Sequence, residues 1–166
     1  MKLFNIFMKK SEMLRVETAP RTIYAPVDGT VIPLNEIQDP VFGSGSLGEG
    51  CGINPISEIV LAPFNGEVTM IADTLHAVGL ISNDGIELLI HVGMDTVEMN
   101  GKGFATFVKV GQKVQMGDKL LSFSILDIEA AGFSPAIVVC NTNEAGYIKI
   151  IKMGEVQAKE PMMKVN

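Results

Sequence analysis

One short phrase is written twice in this chain, and it limits the folds open to it. Ala25-Pro26-Val27-Asp28-Gly29-Thr30-Val31 recurs as Ala62-Pro63-Phe64-Asn65-Gly66-Glu67-Val68. In each copy proline fixes φ, and Asp-Gly or Asn-Gly supplies the positive φ of a tight turn. Each copy therefore predicts a turn leading into a strand. The recurrence predicts an internal duplication in which two similar β units pack together. Val110-Gly111-Gln112-Lys113-Val114-Gln115-Met116-Gly117-Asp118-Lys119-Leu120 again sets turn glycines between short apolar positions. Helical character is confined to about Leu126 to Ala131. Short strands at regular spacing predict an all-β fold, an antiparallel β-sandwich or flattened barrel built on an internally duplicated hybrid motif.

The chain has 166 residues, 47% of them hydrophobic, which is enough for one domain with a real core. Residues 17–166 read as that β domain, and residues 1–16 as a separate segment. In that segment Leu3, Phe7 and the Ile6–Lys10 turn would form an apolar side flanked by lysines on a helix. Such a helix suits the surface of an anionic membrane; the alternative is an unstructured start. No run is long enough to span a bilayer. The net charge of −6 argues against a nucleic-acid partner. Cys51 and Cys140 lack metal-type spacing and read as buried, reduced thiols. The glycine-rich stretch from Gly43 to Gly50 lacks the Gly-Lys-Ser/Thr ending of a phosphate loop and reads as a connector.

The chain has two histidines, His76 and His91, and each lies in a strand-like pattern beside Ser82-Asn83-Asp84-Gly85, a strong hairpin signal. A four-residue loop over Ser82 to Gly85, or an Asn83-Asp84 turn, places His76 directly opposite His91. An Asp84-Gly85 turn places Val78 opposite His91, with His76 one diagonal step away. Only an odd-length loop puts the two histidines on opposite faces. The expectation is therefore an even loop with both imidazoles in contact range, roughly 5–8 Å apart at Cβ. In Ile86-Glu87-Leu88-Leu89-Ile90-His91-Val92, the residues Ile86, Leu88, Ile90 and Val92 form the core face. Glu87, Leu89 and His91 then point outward. Thr74 shares the face of His76 by the same alternation.

Two adjacent imidazoles suit phosphoryl transfer. A neutral imidazole is nucleophilic near pH 7 and can form a phosphohistidine. A second one donates a hydrogen bond to the phosphoryl oxygens, and Thr74 fixes the tautomer of that ring. Zinc wants three or four protein ligands, so His76 and His91 make a zinc site only when a partner completes it. No other cofactor is indicated.

The residues Gly85-Ile86-Glu87-Leu88-Leu89-Ile90-His91-Val92-Gly93-Met94-Asp95-Thr96-Val97 resemble the signature around the phosphorylated histidine of glucose-type enzyme IIA. That family belongs to the phosphoenolpyruvate-dependent sugar phosphotransferase system. Thr74-Leu75-His76-Ala77 is similar to its second histidine motif. Asp39-Pro40-Val41-Phe42, the Ala-Pro-x-x-Gly repeats and the Gly-x-x-Val-x-x-Gly-Asp stretch also look like family features. The resemblance runs from about Ile23 to Val156.

The resemblance implies a cytoplasmic carrier. His91 would take a phosphoryl group at Nε2 from the small histidine phosphocarrier protein. It would pass the group to a cysteine of the sugar-specific IIB domain of a IIB/IIC membrane permease, with His76 assisting the onward step. Asp39 and Asp95 would meet basic residues of the phosphocarrier, and Phe42, Leu47, Leu89 and Val97 would form an apolar docking rim. Regulatory protein partners are a further implication. Ser46 and Ala72 stand where the family often carries bulkier apolar residues, which bears on partner affinity. Two other readings compete: a lipoyl- or biotinyl-type carrier, which needs a lysine at a hairpin tip where this chain has Asn83-Asp84, and a metal-dependent hydrolase on the histidine pair, which lacks a third ligand.

Overall fold

The computed structural model describes residues 16–166, so the amphipathic reading of the N-terminal segment falls almost wholly outside the described residues. The strands are β1 (Thr22–Tyr24), β2 (Gly29–Pro33), β3 (Glu49–Pro55), β4 (Ile59–Leu61), β5 (Gly66–Ile71), β6 (Ala77–Ser82) and β7 (Glu87–Val92). They continue as β8 (Phe104–Thr106), β9 (Lys113–Val114), β10 (Lys119–Phe123), β11 (Ile137–Asn141), β12 (Ile148–Ile150), β13 (Gly154–Val156) and β14 (Pro161–Val165). Two short helices interrupt them, α1 (Pro40–Gly43) and α2 (Ile125–Ala130). The second starts on the Ser124 cap, one residue before the helical stretch expected from sequence.

An eight-stranded antiparallel sheet runs β13-β2-β3-β11-β7-β6-β5-β9. Two three-stranded sheets, β1-β14-β12 and β4-β10-β8, complete a sandwich. One core joins all three: Ile23, Val60, Leu121 and Met163 from the small sheets meet Val31, Ile53, Val68, Leu80, Ile90 and Val139 from the large one. The alternation read in β7 is present, with Ile86, Leu88, Ile90 and Val92 no more than 1% exposed.

The duplication reaches further than the two copies of the phrase. Tyr24 N donates to the Pro63 carbonyl and Leu61 N to the Pro26 carbonyl, both at 2.8 Å, so the copies bond reciprocally across a pseudo-two-fold axis. Each copy is closed by its own partner segment. Gly66 opposes Val114 in the β5–β9 pair, and Gly29 opposes Val156 in the β2–β13 pair. Asn65 Oδ1 accepts from Met116 N at 2.8 Å, and Asp28 Oδ1 from Ala158 N at 2.7 Å. Gly117 in one segment and Lys159 in the other both hold left-handed backbone, at φ 93° and 74°.

The glycines of the repeated phrase have a different reason from the one read in sequence. Gly29 and Gly66 are strand residues without positive φ. A Cβ on Gly29 would collide with the Asn54 carbonyl, and one on Gly66 with the Ile81 carbonyl. Close backbone approach, not a tight turn, selects glycine here.

The β6–β7 register also differs from expectation. Ala77 opposes His91 and Ile81 opposes Glu87. The loop is the odd, three-residue Asn83–Gly85, closed by Ser82 N donating to the Ile86 carbonyl at 2.9 Å. Contacts outside the dipeptide signal fix this length. Ser82 Oγ donates to Asp84 at 2.6 Å and accepts from Ile86 N at 2.9 Å, Arg21 N donates to Asp84 at 2.7 Å, and Gly85 takes φ 90°. A three-residue hairpin ending in a left-handed glycine is the result.

Candidate functional site

An odd loop should part the two histidines, yet their ring centroids lie 4.7 Å apart at 82°. The backbone just ahead of β6 explains this. Leu75 is left-handed at φ 64°, so strand alternation does not carry back to His76. His76 still pairs through its backbone, its carbonyl accepting from Val92 N at 2.7 Å, while its ring turns toward His91. The residue directly opposite His91 is Ala77, whose methyl leaves space for a neighbouring ring. The juxtaposition expected from sequence is thus present, but a turn produces it, not strand pairing.

His91 sits in the middle of the large sheet, between Ala77 of β6 and Val138 of β11. It lies on the outward face, as read, but that face is not open. A second apolar cluster of Ile37, Met94, Ala136, Val138 and Cys140 lies on that face, with Phe42 and Leu89 packed against it. The Phe42 ring lies 4.7 Å from that of His91, tilted by 51°. His91 is therefore half-buried. Its Nδ1 is buried without a hydrogen-bond partner.

These surroundings set the charge of the pair. Burial, aided by His76, pushes His91 down to about 4, against a smaller upward pull from the Gly93 backbone and Asp39. Burial also lowers His76. Both rings are consequently neutral at physiological pH. Thr74 Oγ1 lies 2.7 Å from His76 Nδ1, the partnership expected from sequence, although both residues belong to the turn and not to a strand. Phe104, which nothing in the local sequence singled out, packs edge-on against His76 at 6.5 Å.

Of the other residues expected at the site, Phe42 and Asp39 act directly on His91. Asp39 caps α1, its Oδ1 accepting from Val41 N at 2.9 Å and Phe42 N at 3.0 Å, with Pro40 in the first helical position. That cap presents Phe42 to His91. Ser46 Oγ donates to the Val41 carbonyl at 3.0 Å and so steadies the end of α1. Leu47 and Val97 are exposed, at 45% and 50%, as is Val41 at 48%. Leu89 is half-buried in the second cluster. Asp95 is exposed and left-handed at φ 60°, opening the 3-10 turn Thr96–Met99. Cys51 and Cys140 are buried free thiols, as read.

Residues 21–147 match the family model described as phosphoenolpyruvate-dependent sugar phosphotransferase system, EIIA 1. The chain belongs to this EIIA family. It is similar to the glucose-specific EIIA component of Oceanobacillus iheyensis, 42% identical over 141 residues, covering 84% of this chain and 86% of that relative. It is 39% identical over 149 residues to the beta-glucoside-specific EIIBCA component of Bacillus subtilis, covering 89% of this chain but 24% of that protein. Among solved structures it resembles glucose permease IIA from Mycoplasma capricolum, with a TM-score of 0.82 and 37% identity over 86% of this chain and 93% of that one. This EIIA chain is thus a phosphotransferase component for sugar transport, a phosphoryl carrier on a β-sandwich. The fused EIIBCA relative is consistent with sugar-specific IIB and IIC components as its partners. Among the described residues no helix is long and apolar enough to cross a membrane, and no three His, Cys, Asp or Glu side chains converge as for a metal.

Proposed function

We propose that His91 is the phosphoryl acceptor and His76 its assistant, with the group arriving from the histidine phosphocarrier protein and leaving to a cysteine of the IIB domain. The observation that carries this reading is the contact of the two imidazole rings, 4.7 Å apart. In the first step the Nε2 lone pair of His91 attacks phosphorus. The phosphorus–nitrogen bond of the donor breaks and its electron pair returns to the donor ring. In the second step a thiolate attacks the same phosphorus, and the bond to His91 breaks. The charge of the transferring oxygens must be met throughout. Thr74 donating to His76 Nδ1 leaves the His76 proton on Nε2, from which it hydrogen-bonds those oxygens. The transfer as written needs no resident cofactor.

The rim supplies the docking surface. Phe42, Leu47, Leu89 and Val97 would give the partner its apolar contact, with Asp39 and Asp95 steering a basic partner toward it. With phosphoenolpyruvate, enzyme I and the phosphocarrier protein, the chain is expected to take up one acid-labile phosphoryl group. His91→Ala should abolish uptake. His76→Ala should still be labelled but should hand the group on slowly to a IIB domain. Normal labelling of the His91 variant overturns the assignment.

A further inference from the structure

Among the described residues, five other than glycine hold left-handed backbone: Arg21, Leu75, Asp95, Asn100 and Lys159. Aspartate and asparagine tolerate that region through their short polar side chains. Leu75, at φ 64°, is the one apolar member. A bulky side chain in this conformation is an outlier that the surroundings must hold in place.

The turn itself does not call for leucine. Leu75 N donates to the Ala72 carbonyl at 2.8 Å, and Ala72 N donates to the Ala77 carbonyl at 3.0 Å. The chain therefore turns tightly just before β6. Hairpins that close through a left-handed residue favour glycine there. What leucine adds is a half-buried side chain packed against the main core cluster. Its two chain neighbours are Thr74 and His76, whose Oγ1 and Nδ1 lie 2.7 Å apart. Phe104, a member of the same core cluster, faces the His76 ring edge-on at 6.5 Å. The turn and the ring it carries thus rest on one body of core, the turn through Leu75 and the ring through Phe104.

We propose that Leu75 is a positioning residue for the second histidine. Its side chain holds the strained turn down on the core, and this keeps the His76 ring against His91. A glycine would take the same backbone without strain but would leave the turn without that attachment.

This inference rests on His76 assisting the onward step, so ring placement is read separately from transfer. Leu75→Gly and Leu75→Asn both accept left-handed backbone and both lack an apolar side chain, whereas Leu75→Met keeps one. If backbone conformation alone placed His76, the first two would be harmless. Thermal unfolding establishes which variants are folded, and either of the first two serves if the other does not fold. NMR of histidine-labelled protein, with no phosphoryl donor present, follows the Overhauser contacts between the two rings and the titration of His76. Leu75→Gly and Leu75→Asn should weaken the contacts and move the His76 titration up toward its ordinary value, as burial of the ring is relaxed. They should be labelled at the wild-type rate but hand the group on to a IIB domain more slowly, on the order of tenfold, as a slightly misplaced group does. Leu75→Met should restore every readout. Wild-type contacts between the rings in a folded Leu75→Gly or Leu75→Asn overturn the role of Leu75. Normal hand-on by His76→Ala overturns the assisting role of His76 instead, and the ring contacts still decide whether Leu75 places it.

Discussion

The burial of His91 beneath Phe42 should appear as an acid-dependent loss of stability that one substitution removes. In the unfolded chain His91 takes up a proton near 6.5, and in the folded protein only near about 4. Between those values the unfolded state binds more protons, so stability falls as pH falls through the window and levels off below it. At about 1.36 kcal/mol per unit, the difference amounts to up to about 3 kcal/mol. The groups facing the ring are His76, which pushes in the same direction, and Asp39, which opposes it. His91→Gln removes the titrating group and retains a polar side chain. Urea unfolding of both proteins, extrapolated to water at a series of pH values from about 7 to about 4, gives the comparison. The wild type should lose up to about 3 kcal/mol more than the variant over that range. Parallel pH profiles, or a His91 that titrates near its ordinary value by NMR, would refute the claim that burial sets the charge of this ring.

Phe42→Ala should uncover the His91 ring, moving its titration back toward the ordinary histidine value by NMR. It should also raise the KM for the phosphocarrier by on the order of tenfold, as loss of an aromatic docking anchor does. Lys159→Gly should stabilise the protein by about 1 kcal/mol in urea unfolding, because φ 74° strains a side-chain-bearing residue at the position where the duplicate segment has Gly117.

How much of this was legible in sequence depended on whether the cause was local. The alternation of Ile86, Leu88, Ile90 and Val92 is local, and the structure keeps it. The phrase around Ala25 and Ala62 announced two β units, but its glycines answer to carbonyls of Asn54 and Ile81, which no turn rule contains. The segment around Val156 is the counterpart of the one around Val114, but Lys159 stands where its turn glycine would be, so its sequence carries no turn signal. The loop length of the β6–β7 hairpin is decided partly by Arg21, far away in the chain, so the dipeptide signal gave the wrong parity. The histidines still meet, because Leu75 breaks the alternation on which the parity argument relied. Alternation told which face of β7 carries His91. What lies over the ring, Phe42 of α1, arrives from the β2–β3 connection and was not visible there.

The pseudo-two-fold axis has a consequence for how such a site could arise and be altered. In one half the chain crosses from β2 to β3 through a long excursion that delivers Phe42; in the other it crosses from β5 to β6 through a short bend that delivers Thr74 and His76. The copied framework is alike in both halves, and the histidine pair lies where the copies stop resembling each other. Two unlike connections thus reach one pair of rings. Each can be lengthened, shortened or re-sequenced to change what approaches those rings while the shared framework stays untouched.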